Sequence, residues 1–231
     1  MSDISEPTDS NEFYGAAQRS LQDEFDTRRI ADAHQLSIVA DGIDDDRKAF
    51  IESRDFFFLS TVGADGFPTV SYKGGPTGVV HVEDEHTIVF PSYDGNGMFM
   101  SMGNIGAHDG QGGKIGLLFI DFETPNRLRL HATATVHIDD PAMERFPGAE
   151  LIVRGRVENT FVNCARYIHP HTRVRSSEYI PDDDGAQPYP AWKRIDLIQE
   201  FLPEADQGRA DAAGGAIDYD EYIRRVADGT S

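Results

Sequence analysis

From residue 56 to residue 162 the chain alternates apolar and polar positions in short runs, and the runs are separated by hairpin-length polar connections. Residues 56–62 are aromatic and β-branched, Ala64-Asp65-Gly66 turns them, and residues 67–72 return. Asp-Gly between two such runs is a strong hairpin signal. Residues 78–82 and 87–91 form a second hairpin around residues 83–86. The alternation breaks at residues 96–105, where Met98, Phe99, Met102 and Ile105 fall at three- and four-residue spacing and predict a short helix. Residues 114–122, 127–138 and 151–162 complete about seven strands, with a short helix from Asp140-Pro141 to Phe146. Such short connections imply antiparallel pairing in a closed or partly closed barrel.

The flanks have a different texture. Residues 1–12 are polar, without the apolar content that ordering requires. Residues 12–40 are helix-compatible, through Phe13, Ala16, Ala17, Leu21 and Phe25. Asp44-Asp45-Asp46 precedes an apolar pair and predicts a capped helix ending near Arg54. Beyond the last strand, residues 173–190 read as a loop and 191–201 as a helix. Residues 205–215 read as a linker, and 218–227 as an amphipathic helix. The expected division is an N-terminal extension over 1–40, a barrel domain over 41–165 and a C-terminal arm over 166–231.

Composition narrows the partners. Forty acidic residues against 21 basic ones leave a net charge of −19, which argues against nucleic acid and anionic membrane surfaces. Four of the basic residues are Lys and 17 are Arg. One cysteine, Cys164, excludes an internal disulfide framework, and a buried structural thiol is the expectation for it. No basic region followed by an apolar run opens the chain, and no apolar stretch reaches the roughly 20 residues of a spanning helix. A soluble, cytoplasmic protein is expected.

Against that acidic background the run Pro68-Thr69-Val70-Ser71-Tyr72-Lys73-Gly74-Gly75 stands out. Strand alternation puts Thr69, Ser71 and Lys73 on one face and Val70 and Tyr72 on the other. Two hydroxyls and an ammonium suit a phosphate, which accepts hydrogen bonds from both kinds of group; a solvent-facing strand would carry the same pattern. Ser92-Tyr93-Asp94-Gly95-Asn96-Gly97 follows, just before the short helix. Its glycines let backbone approach a ligand, and a helix start offers free N–H groups to an anion. A capped strand-to-helix turn is the alternative. GxGxxG is absent, so this is no dinucleotide fingerprint.

The order of lysine-ended strand, hairpin, strand, polar loop and helix resembles the pyridoxamine 5'-phosphate oxidase-like family of FMN-binding split barrels, over about residues 56–162. The resemblance implies a mainly β fold: an antiparallel split β-barrel with short peripheral helices and a C-terminal arm. It implies FMN as cofactor and a homodimer enclosing it, with Ser71 and Lys73 on the strand that binds FMN. Ser92, Asn96 and Gly97 then fall in the following loop, and Asn104 closes its helix. Flavin-mediated redox of a small molecule is the implied activity. True pyridoxamine-phosphate oxidases carry an Arg-Lys pair where this chain has Gly95-Asn96-Gly97, which argues against vitamin-B6 oxidase activity. Other members resembling it use a deazaflavin or hold haem without catalysis, and His81, His86 and His131 are the candidate axial ligands here.

Residues 163–168 and 190–193 resemble C-terminal segments that lie near the cofactor pocket in a subgroup of these proteins. On that basis Trp192 is expected at the cofactor and Arg166 at the substrate, although both segments could simply anchor the arm. His169-Pro-His171 is the one tight histidine pair, with no third ligand in view, so no metal site is expected. The carboxylate runs 44–46 and 182–184 lack calcium-loop spacing and are read as caps and loops.

Overall fold

In a computed structural model the described residues are 13–108 and 110–230. The disorder expected for residues 1–12 lies outside them. The chain forms α1 (Ala16–Glu24), α2 (Arg28–Ile38), β1 (Val39–Ala40), α3 (Asp45–Glu52), β2 (Phe56–Val62) and β3 (Pro68–Gly74). Next come β4 (His81–Asp84), β5 (Thr87–Tyr93), α4 (Met100–Gly106), β6 (Gly113–Asp121), β7 (Asn126–His137) and β8 (Ala149–Val162). A single antiparallel sheet runs in the order β3-β2-β6-β7-β8-β5-β4, with β1 added to β8. This is the split barrel that the hairpin spacing predicts, with one short extra strand.

The alternation builds the core. Phe57 and Leu59 of β2, Ile115, Leu117 and Phe119 of β6, and Leu128, Leu130, Ala132 and Ala134 of β7 all turn inward. Ile88 and Phe90 meet them from β5, and Phe57 packs edge-on against Phe90 at 5.1 Å. Helix α4 closes the mouth beside β2 by burying Met102 and Ile105 in the same cluster. Asp44 caps α3 through the Arg47 N–H at 2.8 Å, as the acidic run predicts.

Irregularities in the ladders fall where the barrel must bend. β7 and β8 slip register at His131/Ala132, and β5 and β8 slip between Ser92 and Tyr93. The second slip pairs Ser92 with Leu151 and Tyr93 with Ala149, leaving Glu150 as the extra residue of a bulge. That bulge lies at the end of β5, where the polar loop begins.

The arm departs from expectation in two places. Residues 191–201 are not one helix but two 3-10 turns, Ala191–Arg194 and Asp196–Phe201, broken by an extended Ile195. Residues 205–215 are not a linker: they hold a 3-10 turn (Glu204–Asp206) and α5 (Arg209–Ala212), with Asp206 and Ala210 buried. The last helix, α6 (Tyr219–Asp228), is capped by Asp218. Cys164 is exposed rather than buried, and its Sγ accepts a hydrogen bond from the Arg166 backbone. No described helix is long and apolar enough to cross a membrane.

Candidate functional site

The edge strand β3 inverts the usual burial pattern. Val70 and Tyr72 are 69% and 62% exposed, whereas Thr69, Ser71 and Lys73 are half-buried. The cause is register. Thr61 pairs with Thr69, Leu59 with Ser71 and Phe57 with Lys73, so the polar face of β3 continues the inward face of β2. Helix α4 covers it.

Beneath α4 most of these polar groups find protein partners. The Ser71 and Ser101 hydroxyls are 3.0 Å apart, and Thr69 and Thr61 share a bond of 2.8 Å. Asn104 donates to the Thr61 hydroxyl at 2.9 Å. Asn104 therefore joins α4 to β2 and does not line the cleft. Lys73 is different. Among the described residues it makes no ion pair and no side-chain hydrogen bond, and burial pushes its pKa down. A half-buried ammonium without a partner is costly, and an anion would relieve it.

Lys73 opens onto a cleft of about 230 Å³, lined also by Ser71, Ser92, Asn96, Gly97 and Glu150. Five of the seven positions expected at the cofactor thus meet on one wall: Ser71, Lys73, Ser92, Asn96 and Gly97. Local chemistry shapes the loop. Asn96 Oδ1 accepts the Met98 N–H at 3.1 Å, and Gly97 holds φ +73°, a conformation that disfavours other residues. The helix begins at Met100 rather than at Asn96, so residues 96–99 form an irregular lip. Met98, Phe99 and Met100 are all more than half exposed on it.

A second cavity of about 860 Å³ lies across β2 and β3 from the first and shares Tyr93 and Gly95 with it. Its floor is aromatic. Phe56 stacks on Tyr72 at 5.4 Å and on Phe122 at 5.9 Å. Its roof is the arm, including Arg173, Arg175, Tyr179, Trp192 and Tyr222. Two ion pairs fasten roof to floor or brace the floor, Arg173 with Asp55 and Arg54 with Asp121, the latter at 2.9 Å. At the rim Gly75 is required, because a Cβ there would lie 2.5 Å from Val79.

Trp192 lines this larger cavity and not the cleft. Arg166 is exposed, stacks on its neighbour Tyr167 at 5.9 Å, and lines neither cavity in the single chain. His171 packs edge-on against Phe122 at 5.2 Å. Sequence reasoning missed Glu150, which the bulge brings to the cleft, and the burial of Lys193, the cation beside Trp192, against Asp94 of the loop. Burial, reinforced by Asp94, pushes the Glu150 carboxyl up.

A sequence model of the pyridoxamine 5'-phosphate oxidase family matches residues 43–160, just over half of the chain. The chain belongs to this family. The match begins at α3 and ends within β8, so it takes in the whole cleft and leaves out the arm. Among solved structures, a putative pyridoxamine 5'-phosphate oxidase of Lactobacillus delbrueckii is 23% identical, with a TM-score of 0.40, covering 53% of this chain and 95% of its own. An FMN-binding protein of Syntrophomonas wolfei is 12% identical, with a TM-score of 0.38 and coverage of 64% and 98%. The haem storage protein HutZ of Vibrio cholerae is 19% identical, with a TM-score of 0.35 and coverage of 52% and 94%. A search of the curated proteins found no match.

Proposed function

We propose that this member of the pyridoxamine 5'-phosphate oxidase family is an FMN-dependent oxidoreductase of a small molecule, working as a homodimer. The observation that carries the reading is Lys73: a half-buried ammonium with no side-chain partner among the described residues, in a small polar cleft that Gly95, Asn96 and Gly97 also line. FMN, when bound, supplies the hydride and electron chemistry.

The chain's own residues bind and orient. Lys73 neutralises the phosphate, and the Ser92 hydroxyl and the Asn96 amide stand on the same wall to donate hydrogen bonds. Ser71 shares a hydrogen bond of 3.0 Å with Ser101, in which either hydroxyl can donate, and this holds it at the cleft. The cleft, at about 230 Å³, is smaller than the roughly 300–1,000 Å³ of whole ligand sites, so the ring must extend past it. Two apolar surfaces adjoin: the lip of Met98, Phe99 and Met100, and the aromatic cavity reached past Tyr93 and Gly95. A second copy would complete the enclosure from the exposed side, and the aromatic cavity is the compartment proposed for an apolar or carbonyl-bearing substrate. In that arrangement Trp192 borders the substrate, and Arg166 serves a cavity only across the subunit boundary.

The histidine that lines the larger cavity, His171, packs edge-on against Phe122, and the three that the sequence offered as haem ligands lie elsewhere. His81 is committed to Glu52 at 2.7 Å, and His81, His86 and His131 line neither cavity. A deazaflavin with a longer acidic tail would meet one lysine and the Glu150 carboxylate in the cleft, a poor balance for several negative charges. The test is the absorption spectrum of protein purified without added cofactor, read with mass spectrometry of the released molecule. Flavin bands, the mass of FMN and bleaching by a hydride donor are expected. A haem spectrum, a deazaflavin mass, or a flavin that no donor reduces would contradict the proposal.

A further inference from the structure

Lys193 belongs to the arm, far along the chain from the cleft, yet it is 5% exposed. The 3-10 turn after Pro190 presents it, with the Lys193 N–H bonded to the Pro190 carbonyl at 3.1 Å and its own carbonyl accepting from Gln199 at 2.9 Å. Its Nζ donates to Asp206 Oδ2 at 2.8 Å, within the arm, and to Asp94 Oδ2 at 2.6 Å, within the barrel. Asp94 directly precedes Gly95-Asn96-Gly97. Burial opposes the charge on Lys193, but the bonds from Asp206 and Asp94 outweigh it and hold the ammonium above its ordinary pKa.

Three carboxylates gather here. Glu150 feels both Asp94 and Asp206, with Lys193 bonded to those two and Arg209 on the far side of Asp206 at 3.1 Å. Remove the ammonium and the barrel loop presents uncompensated negative charge beside a cleft whose own lysine awaits an anion. An arm that merely packed on the barrel would have no need to bury a lysine at that spot.

We propose that Lys193 is a positioning residue that acts on the cleft through Asp94: it cancels that carboxylate beside the phosphate site, so the docked arm sets the cleft's affinity for a phosphate group. The inference rests on the FMN reading above. It predicts that releasing the arm weakens phosphate binding without touching any residue of the cleft wall.

The test compares FMN with riboflavin, which lacks the phosphate, by fluorescence titration of the wild type, Lys193→Met, Asp94→Asn and the double variant. Wild type that holds both flavins equally would sink the phosphate reading before any variant is considered. Given a wild type that prefers FMN, Lys193→Met should lower FMN affinity about ten-fold, the scale of one uncompensated charge acting on the phosphate from beyond contact distance, and riboflavin affinity little. Adding Asp94→Asn should restore most of the FMN affinity. Equal loss for both flavins, no loss, or no restoration in the double variant would overturn the proposal. Should Lys193→Met fail to fold, Asp94→Asn decides alone: it keeps a hydrogen-bond acceptor without the charge, so FMN affinity should be unchanged or higher. A ten-fold drop there would overturn the proposal as well, being about the loss expected if the charge of Asp94 were needed.

Discussion

Lys73 shows what a single residue discloses and what it hides. Its position at the end of a strand with hydroxyls at alternate places was legible, because side-chain direction in a strand follows from period two alone. The competing picture was a solvent-facing strand, and the sequence could not separate them. The register with β2 shows the polar face half-buried: it turns Thr69 and Ser71 toward Thr61 and Ser101 and leaves Lys73 without a side-chain partner among the described residues. Lys73→Ala should weaken FMN binding by about 1.5–3 kcal/mol, the worth of a charged hydrogen bond, with the fold intact. An unchanged affinity in isothermal titration would reduce Lys73 to a surface residue. The pH dependence has a definite sign. Burial favours the neutral amine, so affinity should hold at neutral pH and fall on the alkaline side at a pH below the ordinary lysine value of 10.5. Lys73→Arg should move that fall out of range.

At the scale of elements, strands and caps were legible because each rests on local rules: alternation for β2 and β5–β8, an Asp-Gly turn, acids before α3, and Asp140 before the 3-10 turn Pro141–Arg145. The arm was not. Residues 205–215 looked like a linker because small and polar residues carry no periodic signal, yet Asp206 is buried there by a lysine that is 13 positions away. Ion pairs between distant segments leave no trace in local composition. One of them can be used to test the barrel. Asp140 caps the turn before β8 through the Ala142 N–H at 2.8 Å and takes two bonds from Arg154, at 2.7 and 2.9 Å, while Arg154 also reaches Glu83 of β4. The Arg154 bond, helped by the Ala142 N–H against the cost of burial, holds the Asp140 carboxyl down at about 2. A depressed carboxyl stabilises above its unfolded value of 3.8 and loses that contribution as pH falls through about 2. Asp140→Asn should therefore cost on the order of 1–2 kcal/mol at pH 7, after allowing for the partly exposed arginine. Urea titrations at neutral and acid pH check it: the gap between variant and wild type should close on acidification, and a constant gap would assign the loss to packing.

For the whole molecule, the inverted burial of β3 has a consequence for assembly. Val62, Phe67, Val70 and Tyr72 leave an apolar surface on the edge hairpin, beside a cleft too small for a flavin. Such a patch marks an association site, and a symmetric pair would cover it twice. Light scattering should give a dimer, and Val70→Glu with Tyr72→Glu should shift the protein toward monomer and loosen FMN together. A double variant that stays dimeric would place the interface elsewhere. The net charge of −19 makes added salt favour this assembly by screening the repulsion between copies. The family and the barrel were legible from the order of strand, lysine, loop and helix; the resemblance of residues 163–168 and 190–193 put the arm near the cofactor pocket, but no pattern in residues 173–190 says that they cross the aromatic face. The central claim is that this barrel binds its cofactor by the phosphate. Its most direct test is the dissociation constant of the wild-type protein for FMN and for riboflavin under the same conditions. FMN should bind more tightly by at least the factor of about ten that one charged hydrogen bond provides. Equal constants would contradict the account.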